Sequence, residues 1–381
     1  MTDTQNTPRE IEPLWNRYIH AKAAARGIPL SGNFELTPRC NFNCRMCYVH
    51  QTVRAEDEWT AEQWLELGRT ACEAGMVFLL LTGGEPLMRK DFREIYSGLK
   101  RMGLLISINT NASLINRDWV DFFRKDPPLR MNISLYGASD ETYRELCGHA
   151  GFGTVAENIR LLREAGIQVR LNASITPINA KDIPEIYRFA EQNGLIVKGT
   201  AYMFPPARIN GGVFGEAAHR FSAEEAAAKT LLCREQYMTP DQLRGMAPNV
   251  PNDPAEDCTD GQGEKMQCRA GRTNFWVTWD GRMLPCGMFP TEGYDLKKLS
   301  FAEAWEATRR DTERITLPPA CKECSLRGQC PVCAAACLAE TGHAHVCPDY
   351  VCRMTQELAR LIRDKYPTKE NHHEGERKCD P

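Results

Sequence analysis

Short apolar runs, each followed by an amphipathic stretch, recur along the first half of this chain and restrict its fold more than any other feature. The runs occur six times, at residues 33–37, 77–82, 104–109, 131–136, 169–175 and 196–204. The stretches between them have helical periodicity and lie at 60–74, 91–102, 116–125, 154–165 and 182–192. Short connections predict parallel strands joined by right-handed crossovers. Six units, rather than the eight of a closed barrel, predict an α/β fold with a partial (β/α)6 barrel.

Residues at the ends of the predicted helices support these boundaries. Asp91, Asn116 and Asp182 are predicted N-caps, because their side chains can accept hydrogen bonds from the first free backbone N–H groups. Glycines follow four of the helical stretches, where a left-handed residue commonly ends a helix. Ligands bind at the carboxyl ends of the strands in such folds, so polar motifs found there predict the functional site.

The chain divides into five predicted regions. Residues 1–30 are predicted to form an N-terminal helical extension, and 31–204 the barrel. Residues 205–262 lose the repeating pattern and are predicted to bridge to a small cysteine-rich domain at 263–360. The polar residues 361–381 are predicted to be a solvated tail.

Composition excludes some classes of partner. Lys and Arg number 47 against 50 Asp and Glu, a net charge of -3, which predicts no binding to nucleic acid or to a membrane surface. The N-terminal sequence has neither a signal peptide nor a membrane span, which predicts a cytoplasmic location. Seventeen cysteines in a long chain without an export signal indicate metal or redox chemistry rather than disulfides.

The first cysteine motif, CxxxCxxC, comprises Cys40, Cys44 and Cys47 and follows the first predicted strand. Three thiolates on one loop can hold three irons of a four-iron, four-sulfur cluster and leave the fourth iron open to a ligand. The alternatives are a zinc site or three buried cysteines. Zinc loops usually pair two CxxC elements, and His50 is the only further ligand type nearby.

This motif, at this place in a six-unit barrel, resembles the radical SAM superfamily. The resemblance implies that Gly83, Gly84 and Glu85, after the second strand, contact the methionine amino group of S-adenosylmethionine (SAM). Glycines allow the backbone to approach a ligand, and a glutamate can accept hydrogen bonds from an ammonium. The resemblance further implies SAM contacts from the following polar residues on the next strands and the helix beyond: Asn109, Ser134 and Arg144. Ordinary strand-end turns and a solvated arginine are the alternatives.

A second group of cysteines fills the C-terminal region. Cys268 and Cys286 flank a predicted hairpin that turns at Asp280-Gly281. The other members follow a helical segment: Cys321, Cys324, Cys330, Cys333, Cys337, Cys347 and Cys352. Spacing alone also allows a double zinc site.

This arrangement resembles the SPASM domain, which binds two auxiliary four-iron, four-sulfur clusters. The resemblance implies one cluster on Cys268 and Cys286, with Cys258 and a ligand from the 330–337 segment. In the family, three residues usually separate the position of Cys330 from the next cysteine, whereas here only two residues intervene before Cys333, and Cys337 is extra. Cys333 is favoured over Cys337 as the ligand. The other cluster is then held by Cys321, Cys324, Cys330 and Cys352. Cys347 is a surplus candidate that is assigned to neither cluster. Three [4Fe-4S] clusters and SAM are therefore the predicted cofactors.

The double resemblance implies reductive cleavage of SAM to a 5'-deoxyadenosyl radical, hydrogen abstraction from the substrate and net oxidation. The favoured function is oxidative crosslinking of a ribosomally made precursor peptide through a thioether, ether or C–C bond. The sequence does not point to a catalytic acid or base. The expected partners are the precursor peptide and an electron donor such as flavodoxin or ferredoxin. A separate protein is expected to bind the leader segment of the precursor peptide, unless a surface of the barrel binds it. The first motif begins too near the start of the sequence for a separate peptide-binding domain to precede it.

Three alternative functions remain open. The first is formylglycine formation as in sulfatase maturases, although Gly287 stands where that branch usually has an aspartate after the hairpin cysteine. The second is radical dehydrogenation of a small molecule. The third is a non-catalytic iron-sulfur or zinc scaffold.

Overall fold

The structure is a computed structural model, and it describes residues 14–47, 58–205, 220–247, 264–266 and 268–367. The strands are β1 (Ser31–Glu35), β2 (Phe78–Thr82), β3 (Leu105–Thr110), β4 (Arg130–Ser134), β5 (Val169–Ser174), β6 (Val197–Thr200), β7 (Asn274–Val277), β8 (Arg282–Leu284) and β9 (Tyr294–Asp295). The helices of the barrel region are α1 (Leu14–Ala25), α2 (Ala61–Glu73), α3 (Phe92–Arg101), α4 (Arg117–Lys125), α5 (Asp140–Cys147), α6 (Phe152–Glu164) and α7 (Ile183–Gln192). Those beyond it are α8 (Ala223–Glu235), α9 (Pro240–Arg244), α10 (Phe301–Arg314), α11 (Ala334–Thr341) and α12 (Asp349–Lys365).

The strands form one open sheet in the order β6-β5-β4-β3-β2-β1-β7-β8-β9. Strands β1 to β6 pair in parallel with their sequence neighbours. Each of the six predicted strands is present within a few residues of its expected position. The predicted fold class, an α/β partial barrel of six units, is confirmed.

The two faces of the sheet differ sharply in polarity. Side chains such as Phe34, Leu81 and Ile133 are fully buried on the convex face, where Phe34 stacks on Trp64 of α2 with ring centroids 5.1 Å apart. The alternate positions point to the concave face and are mostly polar, including Asn109, Asn132 and Ser134. Because side chains alternate along a strand, the helices bury one face and leave the other as a polar cleft.

Most of the predicted helix ends are confirmed. The three predicted N-caps stand at the N-cap positions of their helices, but only one of them makes the expected side-chain hydrogen bond. Asn116 accepts a hydrogen bond from the backbone N–H of Trp119 at 3.0 Å. Asp91 instead pairs with Arg89 at 2.7 Å, and Asp182 accepts from the backbone N–H of Ala138 at 2.8 Å. A neighbouring guanidinium and a backbone N–H from a distant segment thus replace the local N–H groups for these two carboxylates.

The C-terminal region is joined to the barrel sheet rather than separate from it. The predicted hairpin is present as β7 and β8, and Gly281 at its turn has φ +87°. However, β7 pairs in parallel with β1 and so extends the barrel. Helix α12 packs on α8, and its buried Ile362 lies beyond the boundary expected at residue 360. Helix α5, which carries Arg144, was not among the helical stretches predicted from periodicity.

Within the described part of the chain, no helix combines the length and apolar content that crossing a bilayer requires. Parts of the predicted N-terminal extension, bridge and tail lie outside the described residues, as does Cys258.

Candidate functional site

The CxxxCxxC loop leaves the carboxyl end of β1 and presents three half-buried thiols. Burial raises the pKa of Cys40 to about 12, and the nearby charges of Glu85, Cys44 and Cys47 act in the same direction. The pKa of Cys44 is also raised, first by a hydrogen bond with Cys147 and then by burial. Thiols with pKa values this high become thiolates only when a cation lies beside them. These two thiols and that of Cys47 lie on one loop within electrostatic reach of one another, which fits a four-iron cluster held by three cysteines.

The glycine-rich segment holds this loop from the neighbouring strand. The N–H of Gly84 donates to the carbonyl of Thr37 at 2.7 Å, and the N–H of Glu85 donates to the carbonyl of Arg39 at 2.8 Å. A Cβ atom on Gly84 would lie 2.3 Å from the Arg39 carbonyl oxygen, and one on Gly83 would lie 2.6 Å from that of Thr37. In this structure the glycines therefore allow the backbone of residues 83–85 to contact the backbone of residues 37–39, immediately before Cys40. Their expected contact with SAM stays a prediction.

Gly84→Ala tests this close approach. The new methyl group would collide with backbone that cannot move without Cys40, so we expect incomplete cluster assembly and SAM affinity lower by about a hundredfold. Anaerobic iron analysis and equilibrium SAM binding measure the two effects. Gly153→Ala is the matched control, because no atom lies within 4 Å of a Cβ at that position. Wild-type iron content and SAM affinity in Gly84→Ala would contradict the predicted role.

Glu85 lies beneath the loop, and its carboxylate is engaged by protein donors. The side chain is fully buried and accepts hydrogen bonds from the Thr110 hydroxyl at 2.9 and 3.0 Å, the Asn111 N–H at 2.7 Å and the Leu87 N–H at 3.1 Å. Burial raises its pKa to about 7. These hydrogen bonds join the ends of β2 and β3 through the Glu85 carboxylate. The expected contact of Glu85 with the SAM ammonium stays a prediction.

Asn111, which was not among the predicted site residues, contacts the cluster loop. Its side-chain amide donates to the side-chain Oδ1 atom of Asn41 at 2.9 Å and reaches the Cys40 sulfur at 3.8 Å. The predicted residue Asn109 instead accepts from the amide of Asn132 on the concave face at 2.9 Å. Asn109 lies within β3, whereas Asn111 follows the last residue of the strand and therefore lies at the edge of the sheet beside the cysteine loop.

Ser134 and Arg144 occupy different environments. Ser134 is the last residue of β4, is half-buried on the concave face and contacts the hydroxyl of Tyr136. Arg144 lies on the exposed side of α5, while Tyr143 and Cys147 on the same helix are buried. Cys147 matched no motif, yet it lies behind the cluster loop, where its carbonyl accepts from the Asn43 N–H at 2.9 Å.

The first C-terminal thiol group comprises Cys268, Cys286 and Cys333. Burial raises the pKa of Cys286 to about 11, and the charges of Cys333 and Cys268 add to this effect. The Cys333 sulfur accepts from the Ala336 N–H at 3.4 Å and so caps α11. The structure thus brings Cys333 to the two hairpin cysteines, as expected from the resemblance. Whether these thiols bind a cluster together with Cys258 stays a prediction.

The second C-terminal thiol group contains Cys321, Cys324, Cys330, Cys347 and Cys352. The Cys347 sulfur lies 2.9 Å from that of Cys352 and 4.0 Å from that of Cys321. Cys330 interacts with Cys321 and Cys324. Cys347, which the resemblance assigned to neither cluster, thus belongs to this group. Its short spacing to Cys352 in the sequence could have indicated this.

Cys337 lies between the two C-terminal groups. It is fully buried, and burial raises its pKa to about 12, with further contributions from Cys321 and Cys333. In the described residues, no three His, Cys, Asp or Glu side chains are arranged to hold a single metal ion.

An open α/β barrel whose first strand ends in a three-cysteine loop defines a class of enzyme that binds its ligand at the carboxyl ends of the strands. Residues 34–190 match the family model described as the Radical SAM superfamily. This part of the chain is similar to that superfamily, and the similarity implies a 4Fe-4S cluster and SAM as cofactors.

Curated relatives include proteins that act on different substrates. The chain is 26% identical to an AdoMet-dependent heme synthase of Methanosarcina barkeri over 325 residues, which is 81% of this chain and 92% of that protein. It is 32% identical to a probable GTP 3',8-cyclase of Sulfolobus acidocaldarius over 163 residues, but this covers 42% of the chain and 51% of that protein. The chain therefore spans only about half the length of the cyclase.

Solved structures share the fold at low sequence identity. SuiB of Streptococcus suis bound to S-adenosylmethionine is 18% identical, with a TM-score of 0.64 over 89% of this chain and 81% of that chain. The anSMEcpe protein with bound AdoMet and the Kp18Cys peptide is 15% identical, with a TM-score of 0.65 over 89% of this chain and 98% of that chain.

Proposed function

We propose that this chain is a radical SAM enzyme that oxidatively modifies a ribosomally made peptide, most simply by forming a thioether, ether or C–C crosslink. The observation that carries the proposal is the presence of two further thiol groups beyond the barrel loop, centred on Cys286 and Cys347. Structures with this fold include SuiB bound to the precursor peptide SuiA, with a TM-score of 0.63. Two auxiliary redox centres suit a reaction in which the substrate ends with fewer electrons.

The residues of the chain have separable tasks in this proposal. Cys40, Cys44 and Cys47 hold the first cluster, which with bound SAM supplies a 5'-deoxyadenosyl radical. Gly84 and Asn111 keep the cysteine loop at the end of the sheet. The polar concave face orients the substrate and limits access of water.

The C-terminal thiols hold the two auxiliary clusters. One set is Cys268, Cys286 and Cys333 with Cys258, and the other is Cys321, Cys324, Cys330 and Cys352, with Cys347 as an additional candidate ligand. Electrons arrive from a small donor protein such as flavodoxin or ferredoxin. Leader recognition belongs to a separate protein or to the surface of the barrel.

Mass spectrometry of the product tests the proposal. Reconstituted enzyme, dithionite, SAM and the peptide encoded beside the gene should give a product lighter by about 2 Da, the loss of two hydrogens. Enzyme without the reductant is the control. Release of 5'-deoxyadenosine with an unchanged peptide would contradict peptide modification but leave the radical chemistry intact. Iron analysis should give roughly twelve irons per chain, whereas zinc without SAM cleavage would favour a scaffold.

A heme-forming activity is the second candidate, because the similarity to the Methanosarcina barkeri heme synthase covers 81% of this chain. The same holoenzyme should then produce heme in an anaerobic extract that lacks its own heme synthase, and the peptide should stay unmodified. Heme formation without a mass change in the peptide would decide for this candidate.

A further inference from the structure

Cys347 belongs to the second C-terminal thiol group but exceeds the number of ligands that a cluster there needs. A four-iron cluster takes one thiolate for each iron, and the proposed ligands are Cys321, Cys324, Cys330 and Cys352. The Cys347 sulfur nevertheless lies 2.9 Å from that of Cys352 and 4.0 Å from that of Cys321. The closer contact therefore joins a proposed cluster ligand to a thiol that no cluster requires.

The first turn of α12 holds these two thiols side by side. The N–H of Cys352 donates to the carbonyl of Pro348 at 3.1 Å, so the chain turns directly after Cys347. Pro348 is buried, and its ring fixes φ at -79°. Val351 and Met354 on the same helix are also buried. The two sulfurs thus meet on a fixed backbone, and they need to approach by less than about 1 Å to reach the length of a disulfide bond.

Contact between two thiols changes what oxidation does to them. A thiol oxidised alone passes through a sulfenic acid to an irreversible sulfinic acid, whereas a second thiol condenses with the sulfenic acid to a reversible disulfide. Cys347 and Cys352 are both partly exposed, so a small peroxide can reach them. The hydrogen bond with Cys321 lowers the pKa of Cys347, but that with Cys352 and burial together raise it to about 12. The reaction is therefore slow at neutral pH.

We propose that Cys347 protects Cys352 by forming a reversible disulfide with it before the second auxiliary cluster is inserted. Hydrogen peroxide oxidises the Cys352 thiol to a sulfenic acid and is itself reduced to one water. The Cys347 thiol then forms the S–S bond, and the sulfenic hydroxyl leaves with the thiol proton as a second water. A thiol reductant returns both thiols. This inference rests on the proposed function only in taking Cys352 as a ligand of that cluster.

Peptide mapping of the full-length chain tests the bond itself. The iron-free chain is reduced, freed of reductant, treated with hydrogen peroxide and then alkylated to block the remaining thiols. Digestion with trypsin and with a protease that cuts after acidic residues places the two cysteines on separate peptides, 341–349 and 350–353. These peptides should be recovered joined, and a reductant should separate them. Unpaired Cys347, or Cys347 joined to Cys321 instead, would overturn the proposal.

A variant tests the protection of Cys352. In Cys347→Ala, peroxide should convert about ten times more of Cys352 to sulfinic acid than in the wild type, as measured by peptide mass after both proteins are reduced. Cys72→Ala is the matched control, because it removes a half-buried thiol on α2 and should leave Cys352 as well protected as in the wild type. Equal damage to Cys352 in Cys347→Ala and in the wild type would overturn the proposal.

Iron content separates this protection from ligation. Reconstituted from the reduced state, Cys347→Ala should bind as much iron as the wild type. A loss of roughly four irons would make Cys347 a cluster ligand and overturn the proposal. Joined peptides and a protected Cys352 in a wild-type chain that binds only roughly four irons would support the disulfide and refute the two auxiliary clusters alone.

Discussion

Cys44→Ala is expected to abolish 5'-deoxyadenosine formation and to remove roughly four irons from the reconstituted protein, because three thiolates are the minimum that holds a cluster with one open iron. Cys44 is more enclosed than Cys40 and lies against Cys147. Without the Cys44 ligand, the two remaining cysteines cannot hold the cluster. The measurements are iron and sulfide content, the electron paramagnetic resonance signal of the reduced cluster and the yield of 5'-deoxyadenosine.

Two control variants distinguish a cluster ligand from a neighbouring cysteine. Cys72→Ala removes a half-buried thiol on α2 and should leave iron content and SAM cleavage unchanged. Cys147→Ala removes the thiol behind Cys44 and should retain all the iron, because this residue supports a ligand and is not one. If Cys147→Ala lost as much iron as Cys44→Ala, the assignment of the three loop ligands would be wrong.

Glu85→Ala should destabilise the protein by roughly 3 to 6 kcal/mol, because it leaves three buried donors on Leu87, Thr110 and Asn111 without their acceptor. That is a large share of the stability of an ordinary domain. Chemical denaturation of the metal-free protein under reducing conditions measures the change. Glu66→Ala is the control, since Glu66 forms an exposed pair with Arg69 and should contribute less than about 1 kcal/mol. A loss no greater than that of the control would contradict the role assigned to the Glu85 carboxylate.

The same carboxyl group makes a contribution to stability that depends on pH. Burial raises its pKa from 4.5 to about 7 in the folded chain, so the folded state binds this proton more tightly than the unfolded state does. The contribution is therefore fully present below about pH 4.5 and is lost as the pH rises through 7. Glu85→Gln removes the titration. The free energy of unfolding of the wild type, relative to this variant, should fall between pH 4.5 and 7, and a constant difference would contradict the raised pKa.

Local sequence patterns were sufficient to predict the barrel. Short apolar runs and helical stretches of period 3.6 are properties of neighbouring residues, and they predicted the six parallel strands to within a few residues. The cysteine loop was found in the same way, since its three cysteines lie close together in the chain and follow a strand. Asn116 could be recognised as a helix cap because its partner is only three residues away.

Contacts between distant segments required the tertiary structure. Asn111 rather than Asn109 reaches the cluster loop because Asn111 lies beyond the end of β3, near Asn41, while Asn109 lies within the sheet opposite Asn132. The pairing of β7 with β1 likewise depends on which distant segments meet.

The sequence by itself determined the repeating units, the three-cysteine loop and the existence of a cysteine-rich C-terminal region, because each of these is written in residues close together in the chain. The structure decided how the thiols are grouped and how Glu85 is buried. These depend on which strands and loops meet, and that is set by packing over the whole sheet rather than by any local pattern.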